Sequence, residues 1–213
     1  MSAAPRVRHP IFARMYTRLA VVADKKGGAA HRDELLAGAA GRVIEVGAGS
    51  GANFAHYPTG VTEVVAVEPE TYLRAKAEAT AQKVTTNVHV VDGTADHLPV
   101  DDASCDIAVA SLVLCSVPDQ SAALAELRRV IRPGGELRFY EHIRSHNPRL
   151  AKLQRRIDLV HPWLGGGCHA SRETDRTIEG AGFVVERRRY FTFKPSILEL
   201  PTSPMVIGLA RPA

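Results

Sequence analysis

The glycine-rich stretch at residues 47–51 carries the clearest chemical signal in the sequence. A predicted buried strand at 43–46 leads directly into Gly47, Ala48, Gly49, Ser50 and Gly51. Glycine has no Cβ, so glycines at these positions let backbone N–H groups come close to a ligand. A helix beginning behind the turn would add the partial positive charge of its N-terminus. The stretch therefore predicts a nucleotide-binding turn between a buried strand and a helix.

Two acidic residues stand where a nucleotide ligand would need them. Glu45 lies on the predicted strand, shortly before Gly47. Glu68 ends the next apolar run, about twenty residues beyond the glycines, where a carboxylate can accept hydrogen bonds from both hydroxyls of a ribose. Nicotinamide enzymes use the same device, but their glycines follow the spacing GxGxxG. The spacing here is GxGxG, which disfavours a pyrophosphate ligand.

An alternation of strands and helices positions these residues. Short apolar runs predict strands, and helical periodicity predicts the helices between them. Such crossovers join parallel strands, so we expect helices on both faces of the sheet. The fold class is α/β and Rossmann-like, with seven mostly parallel strands. The predicted strands are 42–46, 61–68, 87–91, 105–112 and 135–142, with helices at 70–82 and 119–131 and a closing antiparallel hairpin at 183–191 and 205–210.

The N-terminal part of the chain is predicted to be helical. Residues 9–23 have helical periodicity, Lys26 and the two glycines after it interrupt the helix, and a second helical piece follows at 31–39. We therefore expect a helical lid at 1–40 in front of the main domain at 41–213.

A second unusual segment follows the fifth predicted strand. We interpret residues 143–170 as an insertion that helps to form a pocket for a second substrate. Beyond it, Ser171 is expected to cap a helix that runs to Gly180. A basic helix in the insertion could contact an anionic membrane, but an ordinary surface helix is favoured. Its basic residues are Arg149, Lys152, Arg155 and Arg156.

Composition places the chain among single-domain globular proteins. It has 213 residues, a hydrophobic fraction of 45% and a net charge of +4, which do not by themselves argue for nucleic acid or membrane binding. The three cysteines include no CxxC pair, so a disulfide framework or a zinc site is not expected, and a cytoplasmic location is. No apolar run reaches the roughly 18 residues that a membrane span requires, and the N-terminal residues lack the apolar core of a secretory signal.

Taken together, these residues resemble those of a known family. The GxGxG turn, Glu45, Glu68 and the stretch at 90–119 are similar to those of class I S-adenosylmethionine (SAM)-dependent methyltransferases with a methyltransferase type 11 domain. A narrower resemblance, over about 41–210, is to the methyltransferase-like family that contains the alkyl thiol methyltransferases. The motifs that carry it occur in the order GANFAHYP, LVLCSVPD, RPGGELRFYEHI, LQRRIDLVHPW, GGGCHASRET and IEGAGF.

The resemblance implies SAM as the cofactor and a set of residues around it. Many relatives have an aspartate at the position of Thr94, where it meets the adenine amine, so in this chain Ala95 or Asp96 is expected to contact the base. The backbone at Ser111 and Leu112 is expected to face the methionine part of SAM. The complete set implied is Glu45, Gly47, Ala48, Gly49, Gly51, Asn53, Glu68, Pro69, Thr94, Ala95, Asp96, Ser111 and Leu112.

Methyl transfer from a sulfonium is an in-line displacement, for which the enzyme must hold the acceptor atom about 3–3.5 Å from the methyl carbon. Because the sulfonium is already activated by its charge, no metal is expected. The resemblance implies a small, fairly apolar acceptor, with a thiol favoured and a phospholipid amine, a quinone or a phenol as alternatives. The candidate bases or orienting groups are His142, just past the fifth strand, and Asp158 and His161 in the insertion.

Two other classes of function remain open at this point. One is a non-catalytic protein that retains the fold and SAM. The other is an NAD-dependent oxidoreductase, against which the GxGxG spacing argues. No nucleic-acid partner is expected, because the sequence has no Asn-Pro-Pro-aromatic motif and no strongly basic added domain. The sequence carries no signal for an oligomeric state.

Overall fold

The computed structural model describes residues 10–194 and 200–213, which form one seven-stranded sheet with helices around it. The strands are β1 (Gly41–Val46), β2 (Val61–Val67), β3 (Val88–Val91), β4 (Cys105–Ser111), β5 (Ile131–His142), β6 (Phe183–Thr192) and β7 (Pro204–Pro212). The helices are α1 (Pro10–Ala23), α2 (Ala29–Leu36), α3 (Thr71–Ala81), α4 (Gln120–Val130), α5 (Pro148–Ile157), α6 (His161–Leu164) and α7 (Thr174–Gly180).

The strand order is β3-β2-β1-β4-β5-β7-β6. Strands β1 to β5 are parallel to one another, whereas β7 runs antiparallel to both β5 and β6. This confirms the predicted mostly parallel sheet with its antiparallel closing hairpin. The chain passes from β1 outward to β3 and then returns to β4 beside β1. Open α/β sheets place ligands at such a reversal, outside the carboxyl ends of the strands.

The core has two layers because successive side chains of a strand point to opposite faces of the sheet. On one face, Ile44 and Val46 of β1 pack with α4 and with Ile178 of α7. On the other face, Val43 packs in a second cluster that includes Leu36 of α2. The prediction of helices on both faces is therefore confirmed.

The prediction of a helix directly behind the glycine turn is wrong. Only a three-residue 3₁₀ helix, Phe54–His56, lies between β1 and β2. The segment is short because Pro58 follows closely, and Asn53 and Tyr57 both turn their polar groups inward to Glu45. No α-helix therefore begins between β1 and β2 to add its dipole to the turn, and the backbone N–H groups of the turn itself supply positive partial charge.

Two other boundaries differ from the prediction. Helix α7 begins at Thr174 rather than after Ser171, because the hydroxyl and backbone N–H of Ser171 both donate to Asp158 instead of capping a helix. Strand β5 begins at Ile131 rather than at Gly135, and its register with β4 shifts where the Pro-Gly-Gly stretch passes.

The N-terminal helices are joined at a kink and fastened to the sheet by α2. Gly27, with φ of 109°, lies in the kink that separates α1 from α2. The guanidinium of Arg138 on β5 donates to the carbonyls of Leu35 (3.1 Å) and Ala37 (2.9 Å) at the end of α2, where free carbonyls need donors. In the described parts of the chain, no helix combines the length and apolar character that crossing a membrane requires.

Candidate functional site

The glycine turn has a backbone that side chains would disrupt. Gly47, Gly49 and Gly51 have φ values of 63°, 59° and 82°, which lie in the left-handed region that favours glycine. A Cβ on Gly47 would collide with the side chain of Val113, and one on Gly51 would lie 2.6 Å from the ring of Phe54. Gly47 and Gly51 are therefore needed for both conformation and space, and Gly49 for conformation.

Glu68 fastens the carboxyl end of β2 to this turn. Its Oε2 accepts a hydrogen bond from the N–H of Gly49 (2.7 Å), and its Oε1 accepts one from the N–H of Glu70 (2.9 Å). Burial raises the pKa of Glu68 to about 7, although both backbone hydrogen bonds and Arg74 lower it. Pro69 follows directly. The carboxylate thus stands against the glycine turn, at the switch between β1 and the strands beside it.

Glu45 is the centre of a buried polar network. It accepts hydrogen bonds from Asn53 Nδ2 and Tyr57 Oη, both at 2.8 Å. Arg32 of α2 donates to Asn53 Oδ1 at 2.7 Å and to Asp24 at 3.0 Å. Burial raises the pKa of Glu45 to about 7, against the lowering effect of its hydrogen bonds. The network ties the first residues of the fold to the glycine turn.

Sequence reasoning missed Arg32 and Tyr57. Arg32 comes from another element, and no local spacing marks it as a partner of the turn. The motif GANFAHYP did contain Tyr57, but only the fold shows that its hydroxyl reaches back to Glu45.

The end of β4 holds an unusual backbone and an unpartnered hydroxyl. Leu112 has a φ of 59° although it is not glycine, and backbone strain of this kind concentrates at functional sites. The Oγ of Ser111 is buried and has no hydrogen-bond partner among the described residues. Buried polar groups of this kind are rare and invite a ligand or a water. Both residues precede the loop that crosses the carboxyl end of the sheet.

Glu141 organises that loop. Its carboxylate accepts hydrogen bonds from the backbone N–H groups of Val113 (3.0 Å), Leu114 (2.9 Å) and Cys115 (3.1 Å). The residue is completely buried, and burial raises its pKa well above the ordinary value, with the charge of Cys115 acting in the same direction. Glu141 therefore has a structural role next to the site.

The residues expected at the adenine follow β3. Thr94 and His97 close a small turn, in which Thr94 and Ala95 are half-buried and Asp96 is exposed. Because this turn, the glycine turn and the β4 end all follow carboxyl ends of parallel strands, the fold brings them to one edge of the sheet.

The three candidate bases lie beyond β5 in different surroundings. His142 is half-buried, and its Nδ1 lies 3.5 Å from the Sγ atoms of both Cys115 and Cys168. Burial lowers the pKa of His142, but its contact with Cys115 and the neighbouring negative charges outweigh that effect and raise it. Asp158 accepts hydrogen bonds from Ala170 N (2.8 Å) and from Ser171.

His161 belongs to the same turn as Asp158. Its Nδ1 lies 2.8 Å from the carbonyl oxygen of Cys168. Asp158 and His161 thus hold the two flanks of the glycine-rich turn at 165–168, whereas His142 stands at the end of the sheet itself.

Comparison with known proteins finds methyltransferases. The model of a family described as "Methyltransferase domain" matches residues 44–139. Thiol S-methyltransferase TMT1B of Homo sapiens is 34% identical, over 82% of this chain and 73% of that protein. Thiol S-methyltransferase TMT1A of Homo sapiens is 36% identical, over 70% and 63%. The ubiquinone/menaquinone biosynthesis C-methyltransferase UbiE of Syntrophotalea carbinolica is 32% identical, over 65% and 59%.

Solved structures have the same fold. A SAM-dependent methyltransferase from Thermotoga maritima superposes with a TM-score of 0.71 at 22% identity, covering 95% of this chain and 98% of that one. A SAM-dependent methyltransferase from Mesorhizobium loti gives a TM-score of 0.63 at 20% identity, covering 87% and 97%.

Proposed function

Because the chain belongs to the class I SAM-dependent methyltransferases, in the family of the thiol S-methyltransferases TMT1B and TMT1A, we propose that it methylates a small, fairly apolar thiol. Membership of that family supports SAM-dependent methyl transfer, and the thiol is the proposed acceptor. The observation that carries the acceptor is the 34% identity with TMT1B over 82% of this chain.

The carboxyl edge of the sheet fits SAM. The glycine turn keeps a left-handed backbone in which a Cβ on Gly47 or Gly51 would strike Val113 or Phe54, and the unpartnered Oγ of Ser111 offers a polar contact. When bound, SAM supplies an electrophilic methyl group on a positively charged sulfur. In this proposal the ribose is held by Glu68 and Pro69, and the amino-acid end of SAM by Gly47, Ala48, Gly49 and Gly51. The turn behind that end is supported by Glu45 and Asn53. The adenine lies against Thr94, Ala95 and Asp96, and the methyl donor faces Ser111 and Leu112.

A thiol acceptor makes modest chemical demands on the protein. The thiolate is the nucleophile, and the pKa of a free thiol is about 8.5, so a fraction is already ionised near neutral pH. The protein must mainly orient the sulfur and exclude water. No residue of the chain needs to form a covalent intermediate with the methyl group.

His142 is the proposed residue on the acceptor side. It follows β5 at the edge where the cofactor residues meet, and Glu141 next to it fixes the loop that begins behind Leu112. We propose that His142 orients the acceptor. Asp158 and His161 act indirectly in this proposal, because the Asp158 carboxylate and Nδ1 of His161 are engaged with the glycine-rich turn and the residues after it.

Helix α1 is proposed to be a lid over the cofactor. Arg14 lies over the ring of Tyr72, 5.8 Å from its centroid, and Tyr72 belongs to the first turn of α3, which begins shortly after Glu68. Several apolar side chains of α1 are about half exposed: Met15, Leu19, Val21 and Val22. A helix in this place can close over bound SAM without being part of the core.

A quinone is the second candidate acceptor. UbiE, whose name assigns it to ubiquinone and menaquinone biosynthesis, is 32% identical to the chain, whereas no observation favours a phospholipid amine or a phenol. The GxGxG spacing of the glycine turn argues against an NAD-dependent oxidoreductase. A non-catalytic SAM-binding protein would have the same cradle and is separated only by measuring turnover.

An acceptor screen tests the proposal. The full chain is incubated with SAM and, separately, with an alkanethiol, a quinol, a phenol and a phosphatidylethanolamine, and the demethylated cofactor and each methylated product are measured by mass spectrometry. We expect a methyl thioether as the main product. Methylation of the quinol ring alone would replace the thiol by the second candidate, and SAM binding without turnover on any acceptor would contradict an enzyme.

A further inference from the structure

Three side chains that can bind metals converge beyond the carboxyl ends of β4 and β5. Cys115 comes from the loop after β4, His142 from the end of β5, and Cys168 from the glycine-rich turn. The two sulfurs lie 3.6 Å apart, and each lies 3.5 Å from Nδ1 of His142. The residues are far apart in the sequence, so the fold creates the cluster and no CxxC spacing announces it.

The separations fit a tetrahedral ion. Zinc binds thiolate sulfur at about 2.3 Å and imidazole nitrogen at about 2.0–2.1 Å in tetrahedral sites. Two sulfurs on such an ion are then about 3.8 Å apart, and a sulfur and a nitrogen are about 3.5 Å apart. The observed separations match both values closely. A disulfide would instead need the sulfurs at about 2.05 Å.

The cluster is poorly satisfied by hydrogen bonds alone. Cys115 and Cys168 are buried, with 1% and 6% of their surface exposed. Both thiols lie near the same nitrogen of His142, which can accept only one hydrogen, and thiols are weak donors and acceptors. Two thiolates and an imidazole around a divalent cation leave no net charge from the sulfurs and the ion, which suits a buried place.

Surrounding contacts hold the ligands in place. Glu141 fixes the backbone of Cys115, and His161 faces the carbonyl of Cys168. The backbone of His169 donates to the carbonyl of Cys115 at 2.9 Å. Gly167 approaches Ser116 so closely that a Cβ would lie 2.6 Å from its carbonyl oxygen. The loop after β4 and the glycine-rich turn therefore meet in a fixed arrangement, as a preorganised site requires.

We propose that Cys115, His142 and Cys168 form a three-ligand site for a thiophilic divalent cation of the zinc class, with a fourth position for water or a small ligand. Cysteine and histidine together select such ions over magnesium or calcium. The ion fastens the 143–170 insertion to the ends of β4 and β5. It stabilises the folded chain because it binds that state and not the unfolded one.

Metal titration of the full chain tests the site without any turnover. The protein is reduced, stripped with a chelator and titrated with Co²⁺, whose visible absorption reports tetrahedral thiolate coordination, and Zn²⁺ is then added to displace it. We expect one ion per chain, a rise in Tm on zinc addition, and an affinity lowered by at least about 100-fold in Cys115→Ser and Cys168→Ser.

The third cysteine provides the matched control. Cys105 is equally buried but lies at the other end of β4, about 20 Å away at the usual rise of a strand. Cys105→Ser should keep the Co²⁺ spectrum and the affinity of the wild type.

Three results would overturn the site. The first is a wild-type chain without tetrahedral Co²⁺ bands. The second is a metal affinity that is unchanged in Cys168→Ser. The third is a mildly oxidised protein that has two fewer free thiols than expected and still fails to bind zinc after reduction. If both serine variants fail to fold, the wild-type Co²⁺ spectrum and the zinc-dependent Tm still decide. None of these readouts involves SAM or an acceptor, so the outcome of the metal titration does not depend on the outcome of the acceptor screen.

Discussion

Gly49 joins the glycine turn to Glu68 in a backbone conformation that favours glycine. Its φ of 59° is left-handed, and its N–H donates to Glu68. We expect Gly49→Val to abolish SAM binding in calorimetry, because a β-branched residue is strained in this conformation and its side chain would fill ligand space. Gly134 is the control, since it also has a positive φ of 81° but has open space around it. Gly134→Val should bind SAM as the wild type does; equal loss in both variants would argue for general unfolding.

Glu68 predicts how SAM binding depends on pH. Its pKa of about 7 means that the carboxylate needed for the ribose hydroxyls is lost as the pH falls through that value. We expect the affinity for SAM to fall about tenfold from pH ~8 to pH ~6, measured by calorimetry. The nearby charges are Glu70 and Arg74, with Glu45 behind the turn. Glu68→Gln should bind weakly with a flatter profile, and a flat wild-type profile would be incompatible with this role.

The same shift has a consequence for stability without ligand. Because the pKa of Glu68 is higher in the folded state than the ordinary 4.5, the folded chain binds this proton more tightly than the unfolded chain. The resulting stabilisation is present below pH 4.5 and is lost as the pH rises through about 7.

His142 should affect turnover more than cofactor binding. We expect His142→Ala to lower kcat with the thiol by at least about tenfold, below the usual 10²–10⁴ effect of a general base because a thiolate needs little proton transfer. The Kd for SAM should stay within about twofold, since the cofactor residues lie on other strands. The split is measured by steady-state kinetics and calorimetry. An unaltered rate on every accepted acceptor would remove His142 from the mechanism.

At the residue scale, the sequence predicted the part of the site that lies within a few residues of a strand end. Glu45, Glu68 and the glycines follow from local spacing. Arg32, the triple contact of Glu141 and the pairing of Cys115 with Cys168 do not, because each joins segments that are distant in the chain. Such contacts depend on the register of the sheet and on the path of the insertion.

At the element scale, the loop after β4 depends on one carboxylate. Replacing Glu141 by Gln leaves one acceptor oxygen for three N–H donors and brings an NH₂ group against them. We expect a loss of about 1–3 kcal/mol in the free energy of unfolding, measured by urea denaturation. The control is Glu179→Gln, which removes an exposed pair with Arg188 and should cost less than about 1 kcal/mol. Equal effects would mean that Glu141 does not organise the loop.

The elements also show where periodicity misleads. Glycines after a strand usually precede a helix, but here the inward-turned Asn53 and Tyr57 and the early Pro58 leave room only for a 3₁₀ turn. Serine is a preferred residue at helix N-caps, yet the hydroxyl and backbone N–H of Ser171 both donate to Asp158 and the helix begins later. In both places a tertiary hydrogen bond outweighs a local preference.

At the scale of the whole molecule, the strand order and the two-faced core follow from apolar runs, since buried parallel strands have little choice of pattern. The role of the N-terminal segment does not follow from the sequence pattern. Helix α2 is anchored to β5 by Arg138, whereas α1 leaves several apolar side chains exposed.

This difference predicts the effect of truncation. Removing residues 1–23 should leave the fold intact by circular dichroism but weaken SAM binding by at least about fivefold, because the lid no longer covers the ligand. Removal through residue 36 should unfold the chain, since it also deletes Leu35 and Leu36 from the core. A chain without residues 1–23 that binds SAM as the wild type does would contradict the lid.

The central claim is that the glycine turn at 47–51 and the carboxylate of Glu68 hold SAM for transfer of its methyl group. A crystal structure of the full chain with SAM tests it most directly. We predict both ribose hydroxyls within hydrogen-bond distance of Glu68 and the methyl-bearing sulfur beside the backbone of Leu112. SAM bound elsewhere on the molecule, with no contact to Glu68 or the glycine turn, would contradict the account.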